Sequence, residues 1–191
     1  MPAQPFFETL MEQNKTQENE RLFGKELSQY LTATDKIDTH FPEMPDIENQ
    51  WATVGESYLP DAMREYSRYP TVALGWVMYV GMAIAKYWDA DWNIYGKVPD
   101  LYKHLLSQTD FDHLDDFITS SVLQFSDTAS ASLRATVGEC ASRVFNRLQH
   151  LGIESGTADA FRAFIAALHM MYLMGAAMEL KHLGYHMTQV E

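Results

Sequence analysis

Cysteine is nearly missing from this 191-residue chain: Cys140 stands alone, so no disulfide can close within it. A single thiol fits a reducing compartment. Its neighbours at helical spacing, Val137 and Val144, are apolar, which predicts a buried, inert thiol and not a nucleophile. Basic charge is also scarce. Twenty-six acidic residues face 14 lysines and arginines, leaving a formal net charge of −12 with no cationic cluster to override it. A field of that sign repels phosphate backbones and anionic bilayers, which argues against nucleic-acid binding and a membrane-surface role. The first ten residues hold no basic residue and no long apolar run, so no secretory signal is visible and a cytoplasmic address is expected.

The short motifs of common chemistries are absent as well. There is no Gly-x-Gly-x-x-Gly, no phosphate-cradling Gly-Lys-Ser/Thr loop, no His-Glu-x-x-His and no Gly-x-Ser-x-Gly elbow. No alternating strand pattern, internal repeat or low-complexity tract interrupts the chain.

What the chain has is apolar surface at helical spacing. Apolar residues make up 47%, with eleven Met, ten Tyr, ten Phe and four Trp, a composition that builds an adaptable, ring-rich interior. The pattern predicts an all-α, single-domain bundle of about six helices spanning 18–191, after a flexible N-terminal arm at 1–17. One helix is expected from Glu18 to Ala33. The next carries Ile47, Trp51, Val54, Tyr58 and Ala62 on one face, with a kink or break near Pro60. From Tyr69 to Ala85 no charged residue occurs, as expected of a helix buried on every side; a bilayer span is the weaker reading. Ser126 or Asp127 should cap a long amphipathic helix that Gly152 stops. A last helix, from about Thr157 to Gly184, places Phe161, Ile165, Leu168, Tyr172 and Ala176 inward.

Three groups of residues are candidates for function. Glu179 and His182 form Glu-x-x-His, the one-turn spacing by which helices offer a carboxylate and an imidazole to a common ion, and His186 follows four residues on. A metal ion is the cofactor such a set would hold. The set is incomplete, because no second Glu-x-x-His occurs, Asp110-x-x-His113 is its nearest echo, and only Glu56 and Glu139 could add carboxylates. Helix C-terminal histidines also serve simply by complementing the helix dipole. His169 and Tyr172 lie in a run free of charge from Ala163 to Met178, where an imidazole lines a ligand pocket or bonds to a backbone carbonyl or tyrosine hydroxyl. Trp88 and Trp92 bracket two aspartates and suit either an interface anchor or the edge of the core.

These observations favour a non-catalytic protein acting through self-association or a protein partner, since 71–88 and 161–183 offer more apolar surface than a small bundle readily encloses. The alternative is a metal- or small-ligand-binding bundle, with or without catalysis, centred on the C-terminal Glu-x-x-His.

Overall fold

The protein is described from a computed structural model covering residues 3–185. Among the described residues there are seven α-helices and no strand. They are α1 (Ala3–Ala33), α2 (Pro45–Tyr66), α3 (Pro70–Tyr95), α4 (Leu101–Leu106), α5 (Leu114–Phe117), α6 (Asp127–Gln149) and α7 (Ala158–His182); a π-helical turn, Ile118–Val122, extends α5. α1 begins at Ala3, ahead of the Glu18 start that the pattern predicts.

The long helices start and stop where their ends are satisfied chemically. Ser126 Oγ accepts the Ala129 N–H at 3.1 Å to open α6, and Thr157 does the same for Ala160 at 3.2 Å in α7. α6 ends at Gln149, and Gly152, at φ 70°, takes a left-handed conformation that favours glycine in the turn beyond it. Pro60 breaks nothing: α2 is continuous through it. Pro60 and Glu56 both face solvent, so water can satisfy the Glu56 carbonyl that the missing N–H leaves free. The interruption falls instead in α3, at Asp91 (φ −167°, ψ 88°), whose carboxylate accepts the Ile94 N–H as the helix resumes. Asp110 takes the His113 N–H and ring in a surface turn.

At the centre, α3 and α7 run side by side in the same direction. Gly81 lies against the Tyr172 carbonyl and Gly175 against the Met78 carbonyl, so each helix presses its backbone into the other. Cβ atoms at either position would collide with those carbonyls. Small residues permit this approach, and Ala73, Leu74, Val77, Met78, Val80, Ala83 and Ile84 are buried as a result. The two most apolar helices therefore cover one another within a single chain. That pairing absorbs the surface excess that suggested a subunit interface. By length and composition α7 is the one described helix that could cross a membrane, and 83% of its apolar window is buried inside the bundle.

The other long helices enclose this pair. α1 follows α7 in parallel, marked by side-chain pairs in step: Glu12–Arg162, Glu20–His169 and Asp35–Lys181. α2 runs antiparallel to α3, with Tyr58 bonded to the Ala73 carbonyl near one end and Trp88 to Asp46 at the other. α6 closes the remaining side, tied to α1 by Arg143 and Arg147 on Glu26, with Val137 against Gly75. Cys140 is fully buried there, and burial pushes its thiol up to about 12, which keeps it protonated. One inward placement differs from expectation: Phe161 is exposed in the first turn of α7, and Phe164 packs inward on Tyr66 instead, ring centroids 4.6 Å apart.

Candidate functional site

Helix α7 carries four of the candidate residues, and its packing sends them in different directions. Glu179 points into the α3–α7 seam. It is 1% exposed, and its Oε2 has no hydrogen-bond partner. Burial pushes its carboxyl up to about 8; Lys86 on α3 draws it down and Asp89 raises it further. At neutral pH Glu179 is thus mainly an uncharged acid, the form in which a carboxyl tolerates such surroundings. His182, one turn on, faces the other way, packing on Phe125 with ring centroids 4.8 Å apart at a cleft between α6 and the end of α1.

The Glu-x-x-His spacing therefore does not make a convergent ligand pair. Glu56 is exposed on α2, Glu139 bonds to Arg143 on the outer face of α6, and Asp110–His113 is an exposed pair. Among the described residues, no three His, Cys, Asp or Glu side chains gather as a metal ion would need. His186 lies outside the described residues.

Trp88 and Trp92 are both half-buried against the core. The Trp88 indole donates to Asp46 at 3.0 Å and meets the ring of Tyr185, whose hydroxyl donates to Asp89 at 2.7 Å. Trp92 packs beneath Gly96, where its indole occupies the space a Cβ would take. Trp88 thus ties α3 to α2 and to the segment after α7.

His169 is where geometry and chemistry meet. Its Nδ1 lies 2.7 Å from Glu20 Oε1 on α1, and its ring stacks on Trp51 of α2 with centroids 5.0 Å apart and planes 14° from parallel. Three helices thus hold one imidazole: α7 supplies it, α1 fixes an edge and α2 covers a face. A carboxylate on Nδ1 sets that nitrogen as the donor and leaves Nε2 as the hydrogen-bonding atom of the neutral ring. The expected partner was a carbonyl or tyrosine hydroxyl; the partner is a carboxylate from the far end of the sequence. Tyr172 does not share this work. It is fully buried, its ring lies 5.1 Å from Trp51, and its hydroxyl donates to the Ile47 carbonyl at 2.7 Å.

Beside His169 a groove of about 530 Å³ opens between α1, α7 and the 37–41 loop. Its floor is apolar, built by Ile37, Phe41, Met170, Leu173 and Met174. Arg21, Gly24, Lys25 and Ser28 form the α1 wall, and Glu48 lies on the α2 side. Helical spacing within α1 places Arg21, Gly24, Lys25 and Ser28 on one face, but nothing local in the sequence brings that face to α7. Comparison of the chain with protein-family models, curated proteins and solved structures found no match.

Proposed function

We propose that this protein is a small-molecule-binding helical bundle whose site is the groove between α1 and α7. The observation that carries the reading is the fixed imidazole at the edge of an apolar hollow: His169 clamped by Glu20 and stacked on Trp51. A site of about 530 Å³ falls in the range that small ligands occupy, and a mostly apolar lining with a few oriented polar groups is their usual setting. The groups are also preorganised. Holding the ring before a ligand arrives reduces the ordering cost of binding.

The neutral dye Nile red tests this. Its fluorescence should rise saturably with one dye per chain, and Met170→Trp, which fills the groove from its floor, should weaken binding at least tenfold. Dye binding that is absent, or indifferent to Met170→Trp, would remove the proposal. Tyr172→Phe provides a contrasting expectation: groove affinity stays unchanged while stability falls by about 1–3 kcal/mol, because the buried Ile47 carbonyl loses its donor. Equilibrium urea unfolding measures that loss.

A second reading, self-association, draws support from the α6–α7 turn. There Tyr66, Pro70, Phe145, Leu148, Ala160 and Phe164, with the polar Ser67, Gln149 and Ser155, line an open hollow of about 600 Å³ of mixed character. Tyr69 and Phe161, adjacent in sequence to two of these residues, are 59% and 41% exposed. Apolar surface of this kind suits a second copy of the chain or another protein. Sedimentation equilibrium should show a dimer that Phe161→Asp dissociates, and a monomer at every concentration would exclude this reading.

A further inference from the structure

Along α1 and α7 the charges leave a gap in pairing at the groove, as they do among the described residues at Lys36, Arg68, Lys97 and Lys103. The other cations described along these two helices are neutralised: Lys15 by Asp159, Arg162 by Glu12 and Asp159, and Lys181 by Asp35 and Asp38. Arg21 and Lys25 have no ion-pair partner among the described residues, although the chain carries 26 acidic side chains. They sit one turn apart on the groove-lining face of α1, both exposed, with Gly24 between them. Two like charges at this spacing repel, so the helix gains nothing from the pair by itself.

The acids of the groove do not fill the gap. Glu20 is held on His169, and Asp38 lies on Lys181 at 3.1 Å. Glu48 belongs to α2, on the other side of the opening. Below the two cations is the apolar floor, where Ile37, Leu173 and Met174 are nearly inaccessible and Phe41 and Met170 are partly exposed. The groove thus sets two cations on its α1 lip, with Glu20, Asp38 and Glu48 elsewhere on its wall, above a thioether- and aliphatic-lined trough whose surfaces adapt readily to a flexible chain.

We propose that the ligand is an anionic amphiphile, a molecule with a carboxylate or phosphate head that rests on Arg21 and Lys25 and an apolar chain that lies along Ile37, Phe41, Met170, Leu173 and Met174. The assignment rests on the groove reading above and specifies its ligand class. Gly24 has a part in it. A Cβ there would come within 2.9 Å of the Met170 Cε, so glycine leaves the methionine room to lie at the trough wall between the two cations.

The test uses the full chain and four twelve-carbon probes below their micellar concentrations: dodecanoate, dodecyl phosphate, dodecanol and dodecylamine. Calorimetry reads affinity, and tryptophan emission reports on the site through Trp51. At least one anion should bind with one molecule per chain and at least tenfold more tightly than dodecanol or dodecylamine; which anion is preferred identifies the head. Arg21→Gln with Lys25→Gln should reduce anion affinity at least tenfold and leave dodecanol unchanged. Both positions are exposed, so that variant should fold. Met170→Trp should weaken every probe. Dodecanol or dodecylamine binding as tightly as the anions, in a manner sensitive to Met170→Trp, would overturn the anionic assignment and leave the groove reading standing. Failure of all four probes to bind would overturn both, and anion binding indifferent to Met170→Trp would place it outside the groove and overturn the assignment.

Discussion

Gly81→Ala should lower the free energy of unfolding by about 3 kcal/mol or more, and Gly175→Ala should do the same. Each added methyl enters the carbonyl of the facing helix, Tyr172 in one case and Met78 in the other. A flexible side chain could turn away from an added methyl, but a helix backbone cannot. The relief is to separate α3 from α7, which opens gaps along the most buried seam in the molecule. Overpacking a tight core typically costs about 1–3 kcal/mol, and a backbone collision belongs at the upper end or beyond. Native proteins have only about 5–15 kcal/mol in hand, so Gly81→Val should leave little folded protein at 37 °C. The double variant Gly81→Ala with Gly175→Ala is the sharper measurement. Once the first methyl has pushed the helices apart, the second finds space, so the combined loss should fall short of the sum. Urea denaturation of the four proteins gives the coupling directly. Additive losses would mean that the two contacts are relieved independently and that the helices do not move as one seam.

The second large effect is a dependence of stability on pH that traces to Glu179. Its carboxyl is raised to about 8 in the folded protein by burial, from an ordinary value of 4.5. The folded state therefore holds a proton that the unfolded state has released between those values. The stabilisation that comes from this group is complete below about pH 4.5 and is lost as pH rises toward 8. A shift of this size corresponds to roughly 5 kcal/mol at most, since each pH unit of difference is worth about 1.4 kcal/mol. Glu179→Gln removes the titration, keeps the shape and should flatten this limb of the profile. At pH 8.5 the variant should be more stable than the parent by about 2–4 kcal/mol, allowing for the buried amide's own need of partners. Chemical denaturation at pH 5, 7 and 8.5 decides the matter. Parallel profiles for parent and variant would show that Glu179 remains ionised in the seam, with Lys86 as its effective counter-charge.

Much of the scaffold is legible from residue order. The uncharged run before Lys86 and the stripe Leu133, Val137, Cys140 and Val144 predict buried faces at their correct places, because such periodicity follows directly from helical geometry. Ser126 caps α6 as the sequence indicates, since capping is a local interaction. Pro60 shows where local reasoning stops short: it does not choose between a kink and a break, and no break occurs. The proline's effect depends on which face meets water, and that is decided by tertiary packing. The same holds for function. His169 stands out in the sequence, but Glu20, Trp51, Arg21 and Lys25 are ordinary residues of three helices until α1 and α2 meet α7. Glu-x-x-His fails as a ligand pair for a related reason: neighbouring positions on one helix still diverge when one side chain enters the seam and the other meets Phe125.

The parallel seam also sets a schedule for biosynthesis. Helix α3 ends at Tyr95, yet the surface that covers it belongs to a segment that begins at Ala158. At roughly 5–20 residues per second, the ribosome takes several seconds to supply that partner. For the later part of this interval α3 is outside the exit tunnel with α1, α2 and the newly made α6 to shield it, but without α7. The protein's yield in a heterologous host should therefore depend on keeping α3 from aggregating until the last helix is complete.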